Sequence, residues 1–151
     1  MDKPFYDFDI LEDAFKYEFV SVGHLSIKKI VIYKTTNLPD FYSLTLADVL
    51  PNGELDVFSE SKNGDMEKVL ATVIQTIQIF LSRYPNAKIA FSGSTPKRTR
   101  LYSIILNKEI EKVEANFQFL GLNNEGLVAF EKNQKYDGFV ILYSTLLKFD
   151  I

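Results

Sequence analysis

Apolar and polar residues alternate through the first third of the chain, and this period of two is typical of β-strands with one buried face. Four such segments can be distinguished, at residues 17–22, 25–34, 42–48 and 55–58. Turn sequences such as Gly23-His24 and Pro51-Asn52-Gly53 separate them. Because short connections join strands that are neighbours in a sheet, the pattern predicts a four-strand antiparallel meander.

The apolar period changes to three and four residues after Asn63-Gly64-Asp65, which predicts a long amphipathic helix. Its apolar positions form one continuous stripe, consisting of Met66, Val69, Leu70, Val73, Ile74, Ile77, Phe80, Leu81 and Tyr84. The proline of Tyr84-Pro85-Asn86 stops the helix because proline cannot continue it. We expect this stripe to pack on the meander and form the core.

The remaining elements complete an α+β pattern. The sequence predicts a buried strand at Lys88–Phe91, a helix that starts at Thr95-Pro96 and ends near Asn107, a short helix at 109–117, a hairpin around 123–126 and a last strand at 139–143. The predicted fold is a mainly antiparallel sheet with helices packed on it. This order of elements also resembles the ribonuclease-H-like layout. Nucleases of that layout need a carboxylate at the end of the strand that follows the first helix, and this chain has Ser92 and Ser94 there.

Composition adds bounds on the class of protein. A chain of 151 residues with 46% hydrophobic and 25% charged residues suits one domain, 1–151, with an arm at 1–15 and a tail at 144–151. The arm mixes aromatic with acidic residues, and we expect it to pack through its aromatic side chains rather than lie across a basic face. The chain has no cysteine, no signal-peptide pattern and no apolar run of membrane-spanning length, so we expect a cytosolic protein that does not bind membranes.

Charge is distributed unevenly along the chain. The stretch between Glu67 and Glu109 contains no Asp or Glu and carries +7, whereas the net charge is −3, so the other residues sum to −10. The densest positive charge lies in the segment Phe91-Ser92-Gly93-Ser94-Thr95-Pro96-Lys97-Arg98-Thr99-Arg100-Leu101-Tyr102. Thr95 and Pro96 suit a helix start, and Gly93 permits a turn with positive φ. Cations in the first turns oppose the helix dipole, which suggests that an anion completes the site.

The candidate ligand-binding residues are therefore Ser94, Thr95, Lys97, Arg98, Arg100 and Tyr102. The hydroxyls and backbone N–H groups would donate to a phosphate or carboxylate, and Arg98 or Arg100 would clamp it through two parallel hydrogen bonds. The competing interpretation is structural, with Arg98 or Arg100 paired to a buried acid such as Glu131 or to strand-end carbonyls.

Other chemistries have little support in the sequence. The Ser-x-x-Lys pattern of Ser94 and Lys97 also occurs at Ser26–Lys29 and Ser59–Lys62, and its usual companion motifs are missing. A single histidine, His24, and no cysteine argue against zinc. The acids Asp48, Glu54, Asp56 and Glu60 surround a turn without a recognised metal-loop spacing. No phosphate-binding glycine motif is present, so we predict no cofactor, metal or catalytic residue.

The segment Gly93–Tyr102 resembles the G-S-T-P-x-R-T-R-L-Y signature of an uncharacterised family of small bacterial proteins, a domain of unknown function. Supporting pieces are Tyr17-Glu18-Phe19-Val20-Ser21, Asn63-Gly64-Asp65, Lys68-Val69-Leu70-Ala71-Thr72 and Phe130-Glu131-Lys132-Asn133 with Tyr136. The resemblance spans roughly residues 15–143 and implies one structural unit, without implying an activity.

Three functions follow as hypotheses. The first is a module that binds a phosphate group, on a small molecule or on nucleic acid, at the Gly93–Tyr102 turn. The second is a protein-interaction component, such as one half of a toxin–antitoxin-like pair, in which the arginine cluster is purely structural. The third is a hydrolase or nuclease, which would require two or three carboxylates opening onto the same cleft as Arg98.

Overall fold

Nine strands and two α-helices make up the computed structural model, which describes residues 3–57, 63–112, 117–131 and 134–144. The strands are β1 (Asp9–Leu11), β2 (Lys16–Val22), β3 (Ser26–Thr35), β4 (Phe41–Val49), β5 (Leu55–Asp56), β6 (Lys88–Phe91), β7 (Phe117–Asn123), β8 (Gly126–Ala129) and β9 (Gly138–Tyr143). The helices are α1 (Met66–Arg83) and α2 (Pro96–Lys112), and one 3-10 turn (Glu12–Ala14) precedes β2.

All nine strands belong to one open sheet with the order β1-β2-β3-β4-β6-β9-β7-β8, and β5 pairs with the far end of β4. The pairing is antiparallel except between β4 and β6, which run parallel with Phe41 beside Lys88 and Leu44 beside Phe91. The predicted meander and the α+β class with a mainly antiparallel sheet are confirmed. Of the described helices, none is long and apolar enough to cross a membrane.

The main core lies between one face of the sheet and the two helices, which pack against each other. Phe80 of α1 is fully buried and stacks on Tyr33 of β3, with ring centroids 4.1 Å apart and planes 9° apart. Burying a side chain of this size stabilises the fold by about 1.5–3 kcal/mol. The apolar stripe of α1 therefore has the packing role that its spacing predicts.

Two predictions about the ends of elements are wrong. The helix that starts at Pro96 does not end near Asn107, because Leu106 and Ile110 are both buried and keep the helix on the core through Lys112. The short helix predicted at 109–117 is not a separate element, because residues 109–112 belong to α2 and Phe117 begins β7. Within the predicted arm, β1 pairs with β2. The expected aromatic packing of this arm does occur, with Tyr6 stacked on Phe19 at 5.8 Å. The predicted tail falls, apart from residue 144, outside the described residues.

One side of β4 has a gap in its pairing. On this side β6 pairs with residues 41–44 and β5 with residues 48 and 49, so in the described part of the chain residues 45–47 have no strand partner there. The N–H of Leu50 donates to Glu54 O at 2.8 Å across the same side. Because backbone orientation in a strand repeats every two residues, the N–H and C=O of Leu46 point into the gap.

Candidate functional site

A compact set of hydrogen bonds holds the turn between β6 and α2. Thr95 caps the helix, since its Oγ1 accepts the N–H of Arg98 at 3.1 Å. The buried Thr99 reaches back, and its Oγ1 accepts the N–H of Gly93 at 2.9 Å. The strand–turn–helix prediction is thus confirmed in its detail, with Thr95 in the capping role.

Gly93 is required for close approach rather than for a positive φ. Its φ is not among the positive values of the chain's glycines. A Cβ at this position would lie 2.6 Å from Arg98 Cβ and 2.7 Å from Thr99 N. The predicted reason for a glycine here is therefore wrong, and the correct one is that the turn lies directly against the first turn of α2.

Side chains from the first turns of α2 line two different cavities. Arg98, Leu101 and Tyr102 follow the spacing of one helix face and line a cavity of about 710 Å³, which we call the cleft. The opposite walls of the cleft are β4, through Leu46 and Asp48, and the first turn of α1. A smaller cavity of about 370 Å³, lined by Ser94 and Tyr102 among others, continues the cleft to the carboxyl end of β6.

Arg98 is 9% exposed, and its Nη1 donates to Ser94 Oγ at 2.7 Å. Tyr102 is half-buried and stacks on Phe91, with ring centroids 5.6 Å apart. The hydrogen bond to Ser94 and the stacking on Phe91 thus hold the Arg98 and Tyr102 side chains in place without a ligand. The hydroxyl oxygens of Ser94 and Thr95, which were predicted to donate to a ligand, accept hydrogen bonds from Arg98 within the protein, and this leaves their own protons available to donate.

Charges of both signs line the cleft. The cations are Lys29, Lys68 and Arg98, and the carboxylates are Asp48, Asp56, Asp65 and Glu67. Lys29 is 7% exposed and pairs with Asp48 at 2.5 Å, so these two charges largely neutralise each other. The described residues include no group of three His, Cys, Asp or Glu that could hold a metal ion.

The first turn of α1 presents free backbone donors to the cleft. Asp65 stands at the N-cap position but caps nothing, because its Oδ2 accepts from Tyr6 at 2.6 Å and from Ser21 at 2.5 Å. The first intrahelical bond runs from the N–H of Val69, so among the described residues the N–H groups of residues 66–68 have no acceptor. Burial, reinforced by the hydrogen bond to Asp65, raises the pKa of Tyr6.

Lys97 and Arg100 lie on a different face of α2 and do not reach the cleft. They are exposed and line a surface cavity of about 610 Å³, which we call the groove, together with Asn123, Asn124, Glu125, Lys135, Tyr136 and Asp137. The six predicted ligand-binding residues are therefore not one cluster. Arg98 and Tyr102 face the cleft, whereas Lys97 and Arg100 face the groove.

The remaining candidate residues are placed elsewhere. Glu131 is exposed, and within the described residues its carboxylate forms no ion pair with Arg98 or Arg100. His24 is exposed in the turn between β2 and β3, as predicted. Asp48 and Asp56 line the cleft rather than a solvated hairpin end, and Glu60 lies outside the described residues.

Sequence reasoning missed Lys29 and the network around Asp65. Lys29 falls two residues before Val31 and four before Tyr33, so strand alternation places its side chain on the core face. Asp48 lies two residues after Leu46, so its side chain is on the same core face, and it is the cross-strand partner of Lys29. Opposite charges at core-facing positions of two neighbouring strands could have predicted this buried ion pair from the sequence.

Comparison with known proteins gives a family without a described activity. No protein of curated function and no solved structure matches the chain. Residues 2–144 match a family of unknown function, DUF6934, which agrees with the resemblance drawn from the Gly93–Tyr102 signature. With almost its whole length matched, the chain belongs to this family of unknown function.

Proposed function

We propose that the protein binds a phosphate-bearing small molecule in the cleft. The observation that carries the proposal is that the first turns of α1 and α2 open on one cavity, beside the carboxyl ends of the parallel strands β4 and β6. Crevices outside the carboxyl ends of parallel strands are the usual ligand sites of such sheets. The proposal keeps the anion expected at the Gly93–Tyr102 turn but places it in the cleft, which Arg98 and Tyr102 of that segment line.

The phosphate end of the ligand fits the start of α1. The backbone N–H groups of residues 66–68, which find no acceptor among the described residues, and the positive end of the helix dipole form an anion-binding arrangement. Asp65 does not compete for these donors, because its carboxylate is bonded to Tyr6 and Ser21. Arg98 faces the same cavity with a planar set of donors suited to phosphate oxygens.

The rest of the ligand fits the gap beside β4. The three residues that have no strand partner within the described part of the chain span about 10 Å and present the N–H and C=O of Leu46. An extended molecule with amide groups would bond there as an added strand does. Leu46, Val57 and Leu101 supply apolar contacts to its stem. A phosphate joined to an extended amide-bearing arm is the chemistry of coenzyme A, a carrier of acyl groups.

The test is a thermal-shift and calorimetric titration of the full chain with coenzyme A, ATP and inorganic phosphate. Coenzyme A at 100 times its dissociation constant should stabilise the protein by about 2.7 kcal/mol. For a chain of this length that corresponds to a rise of roughly 5–11 °C in melting temperature. Phosphate alone should bind more weakly, because it lacks the contacts along β4.

Two variants locate the binding. Leu101→Trp should fill the cleft and abolish the shift, while Ile104→Trp is the matched control, since Ile104 is 53% exposed on the same helix and lines none of the cavities described. Arg98→Lys keeps the positive charge but loses the paired N–H donors of the planar guanidinium, and should weaken binding about tenfold. Equal binding by Leu101→Trp and wild type would contradict the proposal.

A hydrolase is the second candidate, because Asp48, Asp56 and Asp65 open onto the same cleft as Arg98. This is the arrangement that the hydrolase hypothesis required. Incubation with p-nitrophenyl phosphate, with and without Mg²⁺, tests it. Turnover that Asp56→Asn removes would support hydrolysis, and no turnover in the wild type would leave the cleft as a binding site. The protein-interaction hypothesis stays a prediction.

A further inference from the structure

Three cations from two distant parts of the chain meet in the groove. Lys97 and Arg100 come from the first turns of α2, and Lys135 comes from the segment that leads into β9. Within the described residues, none of the three lies within 4 Å of a carboxylate oxygen. Glu125 and Asp137 line the same groove and still leave these cations unpaired. The groove is therefore a concave surface with an excess of positive charge.

The wall that carries Lys135 is fixed in position. The ring of Tyr136 lies directly on Gly121, where a Cβ would be 2.3 Å from a ring carbon. The N–H of Asp137 donates to Leu122 O at 2.8 Å and ties the same segment to β7. On the other wall, Lys97 and Arg100 are part of a regular helix. A binding surface whose two walls are both held by the fold loses little entropy when a ligand binds.

Ion pairs among the described residues do not explain the clustering of these cations. Lys97 and Arg100 lie near the positive end of α2, where cations oppose the helix dipole. Mutual repulsion with Lys135 adds to this. Local choices that oppose stability concentrate at functional sites.

We infer that the groove is a second anion site, separate from the cleft, which binds a compact phosphate group carrying at least two negative charges. Arg100 supplies a planar fork, and the two lysines supply point charges from either wall. The side-chain carbonyl of Asn123 accepts the N–H of Glu125, which leaves its NH₂ group as a further donor. The groove and the cleft share no described lining residue, and only the smaller cavity that continues the cleft meets the groove, at Asp137.

The charge of the whole chain favours a compact anion over a nucleic acid. The residues outside the acid-free stretch sum to −10, and a long polyanion that lay across the groove would meet them. A phosphate on a small molecule or on a phosphorylated side chain would not extend so far. Both sources present the same chemistry to the groove.

The experiment is a calorimetric titration with pyrophosphate, with a short phosphoserine peptide and with a single-stranded 20-mer oligonucleotide. The proteins are Leu101→Trp, in which the cleft is filled, and the same protein with either Lys97→Ala/Arg100→Ala or Lys108→Ala added. Lys108 is the matched control because it is an exposed cation of the same helix and lines none of the cavities described. The double variant Lys97→Ala/Arg100→Ala should weaken pyrophosphate binding at least tenfold, while Lys108→Ala should retain it.

The two phosphate probes identify the source. Tighter binding of the phosphoserine peptide than of pyrophosphate points to a phosphorylated protein, and the reverse points to a small molecule; both outcomes support the groove. Three results would overturn the inference. They are pyrophosphate binding that survives in the double variant, an equal loss in Lys108→Ala, or the tightest binding to the oligonucleotide with a steep dependence on salt.

Discussion

At the scale of the residue, the buried hydroxyl of Tyr17 lowers the stability of the folded protein. Its side chain is fully buried, and among the described residues its hydroxyl finds no hydrogen-bond partner. A buried polar group without a partner costs about 1–3 kcal/mol. Tyr17→Phe should therefore raise the free energy of unfolding by about 1 kcal/mol, measured by urea denaturation.

Tyr33→Phe is the matched comparison for Tyr17→Phe. The Tyr33 hydroxyl is also buried, but it bonds Thr76 Oγ1 at 2.9 Å. Removing it should lower stability by about 0.5–1.5 kcal/mol. Equal effects of the two substitutions would mean that the Tyr17 hydroxyl is satisfied in solution.

The two arginines of the signature should differ sharply in their effect on stability. Arg98 is buried and bonded to Ser94, whereas Arg100 is exposed and unpaired in the described part of the chain. Arg98→Ala should cost about 1–3 kcal/mol through lost packing and hydrogen bonding. Arg100→Ala should stay within about 0.5 kcal/mol of wild type. Thermal and urea unfolding of the unliganded variants measure both, and a reversed order would contradict these placements.

The sequence alone could mark Arg98 and Arg100 as candidate binding residues, but it could not predict that they face different cavities. Thr95 and Pro96 fix where α2 begins, and helix geometry then places Arg98 and Arg100 on different faces. Which face meets the cleft depends on how α2 packs against α1 and the sheet. That packing is set by residues distant in sequence, so the division between cleft and groove was beyond the reach of local patterns.

At the scale of the element, the β6–α2 turn depends on the absence of a side chain at Gly93. An added Cβ would collide with Arg98 Cβ at 2.6 Å and push the first turn of α2 outward. Gly93→Ala should cost about 1–3 kcal/mol, as overpacking does. It should also weaken coenzyme A binding, because Arg98 moves with the turn. Circular-dichroism melting and calorimetry measure the two effects.

Gly126→Ala is the control for that prediction. Gly126 has a φ of +103° and no atom within 4 Å of an added Cβ, so alanine there strains only the β7–β8 turn. Stability should fall while ligand affinity is unchanged. A loss of affinity in both variants would show that binding follows global stability rather than the geometry of the β6–α2 turn.

Elements with a strong period were predictable, and those defined by long-range pairing were not. The stripe of α1 and the alternation of β2 to β4 predicted those elements to within one or two residues. Asn107 was a weak stop signal, and the burial of Leu106 and Ile110 against the core overrides it. The insertion of β9 between β6 and β7 has no local signal at all.

At the scale of the whole molecule, the uneven charge of the sequence corresponds to two separate surfaces. The acid-free stretch supplies cations to both the cleft and the groove, but only the cleft is also lined by the chain's buried ion pair. The described lining of the groove has three cations and two carboxylates, a net charge of +1, whereas that of the cleft has three cations and four carboxylates, a net charge of −1. Charge counting therefore predicted that a basic surface exists, while its division required the tertiary structure.

The whole molecule should also lose stability in alkali through tyrosines buried at the sheet–helix interface. Burial raises the pKa of Tyr17 and that of Tyr33 above the ordinary value of 10.0. Between the unfolded and folded pKa values, the unfolded chain has released protons that the folded chain still holds. Stability is therefore unaffected by these groups below about pH 10 and falls above it, by about 1.4 kcal/mol per pH unit for each tyrosine.

Urea denaturation between pH 8 and pH 11.5 measures this slope. Tyr33→Phe removes one of the two protons and should make the alkaline loss shallower by about 1.4 kcal/mol per pH unit, even though it lowers stability at neutral pH. Tyr17→Phe removes the other proton and should make the alkaline loss shallower by a similar amount. The same slope in all three proteins would mean that ionisation of other groups, such as surface lysines, controls alkaline unfolding.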